Sequence, residues 1–476
     1  MIAVLYASAM VVLAFYGVNL LWMSIVVARS EATPSDPLPD INRINGAWPH
    51  VTIQIPLYNE ALVARRVIDA CAAIKYPRDL LQLQVLDDST DETIAIARQC
   101  VSDWQSRGLN IVHIQRHHRE GYKAGALANG LQSATGELLA VFDADFVPSE
   151  DFLLRLVPLM EDDGLGMIQM RWGHMNAQSS LLTRIQACSL DAHFAVEHVA
   201  RNTSDCFINF NGTAGLWKRS CIVDAGGWHG DTLAEDLDLS YRAQLRGWKF
   251  RYINELEAPA ELPATLAALR VQQTRWTKGT AETARKLLRR LWRAALPIKT
   301  KIQGTIHLTA HAVYPCLVLV TLLHPLLLYQ EAQGAGPGQV YFGVMGLGLI
   351  GLLGFFLAQV FAQRTLYPDW SRRIWFFPIF MAGSMGLAIS NTRALWAAWR
   401  RFSTDFERTP KAKGRYKAST SPLIVMIEAS MAVYSIVGLC YLLWNGIWAA
   451  VGFQTLFSMS YIFVTRYNII ELLDRT

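Results

Sequence analysis

The pattern of hydrophobic and polar positions divides the chain into three parts. Residues 2–27 carry no charge, and a helix of that length crosses the roughly 30 Å hydrocarbon layer of a membrane. Between residues 50 and 263, short apolar runs alternate with helix-like stretches, which predicts an α/β domain with a largely parallel sheet. Long apolar stretches return from residue 306 onward. The pattern therefore predicts one globular domain held by membrane helices.

Basic residues beside the apolar stretches predict which segments face the cytoplasm. Arg29 directly follows the first stretch, which predicts an external N-terminus and a cytoplasmic α/β domain. Further spans are predicted at 306–329, 340–363, 423–444 and 447–464. The stretch 374–395 is also apolar, but arginines flank both of its ends, so it is predicted to be interfacial or re-entrant. A sixth crossing there is the alternative, and it would reverse the orientation of the last third.

These predictions give six segments. They are a transmembrane helix at 1–28, a linker at 29–49, the α/β domain at 50–263, acceptor-site and amphipathic interfacial helices at 264–300, a transmembrane region at 301–465 and a cytoplasmic tail at 466–476. Within 264–300, residues 280–296 place leucines and Trp292 on one helical face and five basic residues on the other. That arrangement predicts an amphipathic helix lying in the membrane surface, with a solvated soluble helix as the alternative.

Composition agrees with a membrane protein. Hydrophobic residues make up 52% of the 476 positions and charged residues only 17%. The net charge of +5 is modest, and the basic residues cluster near apolar segments, which favours lipid headgroups and sugar-nucleotide phosphates over nucleic acid. The seven cysteines show no C-x-x-C spacing, so neither a zinc site nor a disulfide framework is predicted.

Acidic pairs follow two predicted strands. Asp87 and Asp88 follow the apolar run 83–86, and Asp143 and Asp145 follow the run 138–142. Ligands of open α/β sheets bind at the carboxyl ends of the strands, so these pairs should converge on one crevice. Asp143 and Asp145 are predicted to hold Mg²⁺ or Mn²⁺. An Asx turn is the structural alternative for this pair, and helix capping for Asp87 and Asp88, which are otherwise predicted to bind the nucleotide.

Two further clusters add phosphate and proton chemistry. Lys123 lies between Gly121 and Gly125 at a predicted helix start, where backbone amides and a positive charge can bind a phosphate. Glu235 and Asp236 precede a helical pattern, and Asp236 is predicted to be the base that removes a proton from an acceptor hydroxyl. Helix capping is the alternative for this acidic pair.

A third cluster combines an apolar ring with charge. Gln272 and Trp276 are four residues apart on a predicted helix, with Arg275 beside them. A tryptophan offers a flat face to a sugar ring, and an arginine can pair with a diphosphate. Burial of the tryptophan in a core is the alternative. The ordered set of clusters, bracketed by apolar segments, indicates sugar transfer at a membrane.

Several stretches resemble the family 2 inverting glycosyltransferases, in the cellulose-synthase-like branch that includes plant mannan synthases. They include Leu-Asp-Asp-Ser-Thr-Asp91, Gly-Tyr-Lys-Ala-Gly-Ala-Leu127, Phe-Asn-Gly-Thr-Ala-Gly215, Glu-Asp-Leu-Asp-Leu239 and Gln-Gln-Thr-Arg-Trp276. The resemblance is dense over residues 50–280. It implies a GT-A fold, a nucleotide-sugar donor, a metal at Asp143 and Asp145, and Asp236 as base. It also implies an acceptor site formed by Phe210, Asn211, Gly212, Thr213 and Trp276.

The resemblance extends to one loop near the C-terminal spans. Phe406, Thr409 and Lys411, in the predicted cytoplasmic loop 396–421, are similar to the family's gating loop. Arg408 stands where the family has Val, and Ala234 stands where the motif before Glu235 has Thr. A basic loop that binds lipid is the alternative for this segment.

The leading hypothesis is a processive enzyme of the inner or plasma membrane. It would transfer hexose from GDP-mannose or UDP-glucose, bound through Asp87, Asp88, Lys123, Asp143, Gln272 and Arg275, to a β-linked polysaccharide exported between its helices. Transfer of a single sugar to a membrane lipid is the alternative. A transporter or scaffold without catalysis is disfavoured because transport alone gives no reason for Asp143, Asp145 and Asp236 together.

Overall fold

The computed structural model describes residues 1–31, 48–346, 348–400 and 420–473. The predicted gating-loop residues Phe406, Thr409 and Lys411 lie outside these ranges. The uncharged N-terminal run forms one helix, α1 (Ile2–Glu31).

The globular domain alternates strands and helices, as the sequence predicts. Its strands are β1 (Val51–Leu57), β2 (Leu81–Asp87), β3 (Asn110–Gln115), β4 (Leu138–Val141), β5 (Leu165–His174), β6 (Gly215–Lys218) and β7 (Lys249–Ala260). Its helices are α2 (Ala64–Ala72), α3 (Thr93–Gln105), α4 (Tyr122–Ser133), α5 (Phe152–Leu156), α6 (Leu181–Ala192), α7 (Val199–Thr203), α8 (Arg219–Asp224) and α9 (Glu235–Gln244).

The strands form a seven-stranded mixed sheet in the order β3-β2-β1-β4-β6-β5-β7. β3, β2, β1 and β4 are parallel, β6 is antiparallel to both of its neighbours, and β7 is parallel to β5. Ile53 of β1 pairs with Leu83 and Ala140, and all three side chains are fully buried. Because β1, β2 and β4 run in the same direction, their carboxyl ends bring Tyr58, Asp88 and Asp143 to one edge of the sheet.

The remaining helices begin where β7 ends. They are α10 (Leu266–Arg293), α11 (Ile298–Thr309), α12 (Val313–Ala332), α13 (Gln339–Met345), α14 (Gly348–Leu366), α15 (Trp370–Arg373), α16 (Phe377–Gly386), α17 (Ala388–Arg400), α18 (Pro422–Trp444) and α19 (Trp448–Leu473).

Among the described residues, five helical stretches are long and apolar enough to cross a membrane: Ile2–Ser30, Ile298–Ala332, Gln339–Leu366, Trp370–Arg400 and Pro422–Trp444. Four of them contain predicted spans. The stretch predicted to be interfacial is also among them, but it is divided into short helices, α15 to α17. The last predicted span lies within α19, where polar residues such as Gln454 and Ser458 interrupt the apolar run. The interfacial or re-entrant course of 374–395 and the crossing at 447–464 therefore stay predictions.

Glycines bring α1 and α14 into close contact. A Cβ built on Gly17 would lie 2.3 Å from the Cα of Gly351, and one built on Gly354 would lie 1.9 Å from the carbonyl oxygen of Gly17. No side chain fits in these spaces, so the two backbones touch along this seam. Small residues serve helix packing in membranes in this way.

A buried ionic network ties the start of α10 to α18 and α19. The guanidinium of Arg270 donates to Glu428, to the side-chain oxygen of Asn468 at 2.8 Å and to the hydroxyl of Thr420 at 3.0 Å. The side chains of Arg270 and Glu428 are 6% and 0% exposed. The carboxylate of Glu471 accepts hydrogen bonds from the backbone N–H groups of Leu266 and Ala267. These donors belong to the first helical turn and have no partner within the helix.

The predicted amphipathic helix is the second half of α10, but its apolar face is covered by protein. Leu287 and Leu291 are fully buried in a cluster with Tyr241 and Leu308. Trp292 is 45% exposed. The prediction that the whole apolar face lies in the membrane surface is therefore wrong for Leu287 and Leu291, because α9 and α11 fold over them.

Candidate active site

An open cleft of about 1250 Å³, part of it solvent, lies at the carboxyl edge of β1, β2 and β4. The predicted site residues that line it are Asp88, Lys123, Asp143, Asp145, Asn211, Gly212, Glu235, Asp236, Gln272, Arg275 and Trp276. Residues from 88 to 276 thus meet in one place. Three residues that were predicted to contact ligands lie outside the lining: Asp87, Phe210 and Thr213. They support the residues that form it.

Asp87 and Asp88 have different surroundings. Asp87 is 2% exposed, and its carboxylate accepts from His113 Nε2 at 2.9 Å and from the backbone N–H of Ser89 at 2.9 Å. Burial opposes ionisation, but the hydrogen bonds from His113 and Ser89 outweigh it and lower the pKa of Asp87. Asp88 lines the cleft, and its two carboxylate oxygens accept from Arg116 Nε and Arg116 Nη2. Asp87 therefore supports the loop, and Asp88 remains the candidate for ligand contact.

Arg119 and Tyr58 are among the cleft residues that were absent from the sequence prediction. The guanidinium of Arg119 lies 3.3 Å from the centre of the Tyr58 ring, and both side chains line the cleft. Tyr58 directly follows β1, and this position at a strand end is the sequence signal that could have identified it. A stacked aromatic and guanidinium pair provides a flat cationic surface of the kind that accepts a nucleobase or a phosphate.

Lys123 joins the acidic clusters at the centre of the cleft. Its Nζ lies 2.6 Å from Asp143 Oδ1 and 3.8 Å from Glu235 Oε1, and it donates to the carbonyl oxygen of Gly212 at 2.8 Å. Burial alone would lower the pKa of Lys123, but the carboxylates of Asp143 and Glu235 outweigh burial and raise it. A fixed positive charge is thus held between the predicted metal ligand and the predicted base.

Asp236 occupies the first turn of α9. Its Oδ1 accepts the backbone N–H of Leu237 at 2.8 Å. Burial raises the pKa of Asp236 to about 7, with a further increase from the neighbouring Glu235 and opposing effects from Lys123 and Arg275. A carboxylate that changes protonation near neutral pH is suited to accept a proton from a hydroxyl.

The segment 210–213 shapes the cleft more than it contacts it. Phe210 is fully buried against Trp217 and Trp228, so its predicted contact with an acceptor is wrong: the ring belongs to the core. Thr213 is also fully buried, and its hydroxyl accepts the backbone N–H of Asp143 at 3.0 Å. Gly212 has φ +80°, and a Cβ there would lie 2.9 Å from Asp236 Oδ2. Its missing side chain keeps space open above the carboxylate.

Helix α10 forms the opposite wall. Gln272, Arg275 and Trp276 all line the cleft, as predicted from their spacing. The same helix also holds the segment that leads into Asp236. Glu282 accepts the backbone N–H of Leu233 at 2.9 Å, and a Cβ on Gly279 would lie 2.7 Å from that of Ala234. One helix therefore positions both Trp276 and the approach to the base.

Asp143 and Asp145 fit a divalent cation by their chemistry. Both carboxylates line the cleft, and hard oxygen ligands suit Mg²⁺ and Mn²⁺. Around Lys123, the acidic groups Asp143, Glu235 and Asp236 outnumber the single ammonium, so further positive charge would be favourable.

Within the described residues, a second cluster has side chains of the kind that bind metals, but basic side chains of the protein already neutralise its carboxylates. His229, Asp231 and Asp238 bring ligand atoms within 4.8 Å of one another. However, Lys286 Nζ lies 2.7 Å from Asp231 and 2.9 Å from Asp238, and Arg242 also contacts Asp238. An ammonium thus occupies the place of a cation. This group helps to hold α10 against α9.

Comparison with known sequences shows which proteins this domain is similar to. Residues 49–279 match the model of the family described as glycosyltransferase like family 2. Glucomannan 4-beta-mannosyltransferase 9 of Arabidopsis thaliana is 42% identical over 290 residues, which are 60% of this chain and 53% of the relative. Glucomannan 4-beta-mannosyltransferase 1 of Oryza sativa subsp. japonica is 44% identical over 260 residues, 53% of this chain and 50% of the relative. The chain thus spans about half the length of these curated relatives.

Comparison with solved structures supports the fold. The mannosyltransferase PcManGT from Pyrobaculum calidifontis, solved in complex with GDP-Man and Mn²⁺, superposes with a TM-score of 0.57 at 19% identity. The match covers 84% of this chain and 99% of that one. At this identity the likeness concerns the fold, and it confirms the predicted GT-A type of α/β domain.

Proposed function

We propose that the protein is an inverting, metal-dependent β-hexosyltransferase, because residues 49–279 match the model of the family described as glycosyltransferase like family 2. Its donor is GDP-mannose, and its acceptor is a growing β-linked polysaccharide. The observation that carries the proposal is the position of Asp236. Its carboxylate shares the cleft with Lys123 and Asp143 on one side and with Arg275 and Trp276 on the other.

In the proposed reaction, the acceptor oxygen attacks the anomeric carbon of the donor from the face opposite the diphosphate. A carboxylate oxygen of Asp236 takes the hydroxyl proton while the new glycosidic bond forms and the bond to the diphosphate breaks. One displacement inverts the anomeric configuration and yields a β-linkage from an α-linked donor. The pKa of about 7 matches this role, since Asp236 would be largely ionised at slightly alkaline pH.

The negative charge that develops on the diphosphate meets positive groups of the chain. Lys123 is held by Asp143 and Gly212, and Arg275 lines the same cleft. A divalent cation, held by Asp143 and Asp145, would add Lewis-acid stabilisation of the leaving diphosphate. Asp88, Arg119 and Tyr58 form the part of the cleft nearest β1 and β2, where the nucleoside would lie.

The names of the similar proteins and the position of Trp276 support mannose and a polymer. The curated relatives at 42% and 44% identity are named glucomannan 4-beta-mannosyltransferases, and the structural neighbour was solved with GDP-Man and Mn²⁺. Trp276 lines the cleft beside Asp236 and offers an aromatic face to a sugar ring. The apolar helical stretches fit a multi-pass membrane protein. The active site would lie on the cytoplasmic side, and the chain would extend the polymer processively and export it between the helices.

The test uses the full chain purified in detergent, with labelled GDP-mannose or UDP-glucose and with Mn²⁺, Mg²⁺ or a chelator. We expect long chains from GDP-mannose, no product with the chelator, and loss of at least about 100-fold of the rate in Asp236→Asn. Asp163→Asn is the matched control, because Asp163 is an exposed carboxylate just before β5, at the end of that strand away from the cleft. Full turnover by Asp236→Asn would refute the assigned base. A single labelled lipid as product would replace the polymer by the glycolipid alternative.

A further inference from the structure

The end of strand β5 carries two polar aromatic side chains that the proposed reaction does not use. Trp172 and His174 are two residues apart, so they point to the same side of the strand, and both line the cleft. The indole Nε1 of Trp172 and both ring nitrogens of His174 are buried without a hydrogen-bond partner. The His174 side chain is only 3% exposed. Buried polar atoms without partners are costly, which makes them candidates for ligand contact.

Asp191 fixes the orientation of His174. Asp191 Oδ1 lies 3.4 Å from His174 Nε2, an ion-pair distance without good hydrogen-bond geometry. The carboxylate is held in place by two donors from the end of α14: Gln363 Nε2 at 2.9 Å and the Tyr367 hydroxyl at 3.2 Å. An ionised carboxylate only accepts hydrogen bonds, so the Nε2 facing it carries the proton in neutral His174. His174 Nδ1 is then a hydrogen-bond acceptor.

The opposite face of β5 is closed at this point. Gly173 lies between the two residues, and a Cβ there would be 1.9 Å from Glu257 Oε1. Glu257 is in turn paired with Arg171 at 2.6 Å. Trp172 and His174 therefore have no room on that side and are directed toward the cleft. The ring centre of Trp172 lies 6.5 Å from that of Trp276, which places the pair on the acceptor side.

We propose that Trp172 and His174 form a hydroxyl-binding subsite for the acceptor sugar beside Trp276, with Asp191 as the residue that positions His174. A sugar hydroxyl is both a donor and an acceptor. The hydroxyls of one pyranose can donate to His174 Nδ1 and accept from Trp172 Nε1–H, so a sugar satisfies these two atoms. The ligand class is a β-linked hexose oligosaccharide. This inference rests on the proposed function for the identity of the acceptor.

The test measures direct binding of manno- and cello-oligosaccharides to the full-length protein in detergent, without donor, alongside transfer and donor hydrolysis. Trp172→Phe keeps an aromatic ring and removes the N–H, and His174→Phe removes the ring nitrogens. We expect each to raise the dissociation constant about five- to tenfold, the loss of one hydrogen bond. Release of nucleotide from the donor without acceptor should stay unchanged. His174→Gln, which retains hydrogen-bonding atoms, should recover part of the affinity.

A double-mutant cycle tests the role of Asp191. Asp191→Asn should weaken binding in the wild type by a few-fold and have no further effect in His174→Gln, because it acts through the imidazole. Equal weakening in both backgrounds would show a merely structural role for Asp191 and overturn its assignment.

The inference and the proposed function fail in different ways. Unchanged oligosaccharide affinity in Trp172→Phe and His174→Phe, with wild-type transfer intact, would overturn the subsite alone. Wild-type sugar transfer to lipid without oligosaccharide binding would overturn it together with the polymer acceptor. Weakened oligosaccharide binding in these variants would support the subsite even where the donor proves not to be GDP-mannose.

Discussion

Protonation of Asp236 should limit the rate below neutral pH. Its pKa is raised from 3.8 to about 7, first by burial and then by Glu235. With a pKa near 7, about nine tenths of the carboxyl groups are ionised at pH 8 and about one tenth at pH 6. Since only the ionised form accepts a proton, kcat/KM for the acceptor should fall about tenfold per pH unit below pH 7.

Glu235→Gln tests the cause of this shift. It removes a negative charge beside Asp236 and nearly preserves side-chain volume, so ionisation of Asp236 becomes easier. A charge pair at a partly solvated site contributes on the order of 1–2 kcal/mol, or about one pKa unit. Burial is the larger cause and remains, so the midpoint should move from about pH 7 to about pH 6 and not to 4.

The assay is the initial rate of transfer at limiting acceptor from pH 5 to 9, normalised to each variant's plateau so that a change in absolute rate does not matter. Asp163→Asn serves as the control, and its midpoint should equal that of the wild type. A wild-type profile that stays flat down to pH 5, or a midpoint that Glu235→Gln leaves in place, would refute the reasoning.

Three further predictions concern packing; the first two are measured by thermal or denaturant unfolding in detergent and the third by cross-linking. Phe210→Ala should lower the free energy of unfolding by about 3–5 kcal/mol because it empties a fully buried ring position. A loss below about 1 kcal/mol would indicate that the ring faces the cleft and not the core. Glu428→Ala should lower the free energy of unfolding by about 3–5 kcal/mol because it leaves Arg270 charged and buried. A double variant, Arg270→Met with Glu428→Leu, should recover much of the lost stability. Equal losses in the single and the double variant would contradict the ion-pair account. Gly17→Leu should separate α1 from α14. One cysteine introduced on each helix beside the Gly17–Gly351 contact should therefore cross-link when residue 17 is Gly and not when it is Leu. Undiminished cross-linking in Gly17→Leu would count against the close contact.

Much of the fold was predictable because the apolar runs of β1, β2 and β4 and the residues after them follow simple rules. Parallel strands bring their carboxyl ends together, which is why Asp88, Asp143 and Lys123 meet as expected. The antiparallel β6 gave no comparable sequence signal, since its four residues pair through long-range packing.

The errors in the site have a common physical origin. Sequence shows which side chains lie near the cleft, but not which of two neighbours points into the core. Asp87 and Asp88 are adjacent, yet one faces His113 and the other the cleft. Phe210 shares a motif with Gly212 but points inward. Likewise, the leucines of α10 have the pattern of a membrane-surface helix, and only the positions of α9 and α11 decide that protein covers them.

The contacts at the start of α10 set an order for biosynthesis. The helix that carries Trp276 is anchored through Arg270 to Glu428 and Asn468, and its first turn is capped by Glu471. These partners are translated some 160 to 200 residues after the helix itself. While the ribosome is still adding α11 to α18, the sheet and its acidic residues are complete, but the acceptor wall lacks its anchor. A nascent chain should therefore be able to fold the donor side of the cleft before it can bind an acceptor. The proposed sugar transfer would then begin only once α18 and α19 are in place.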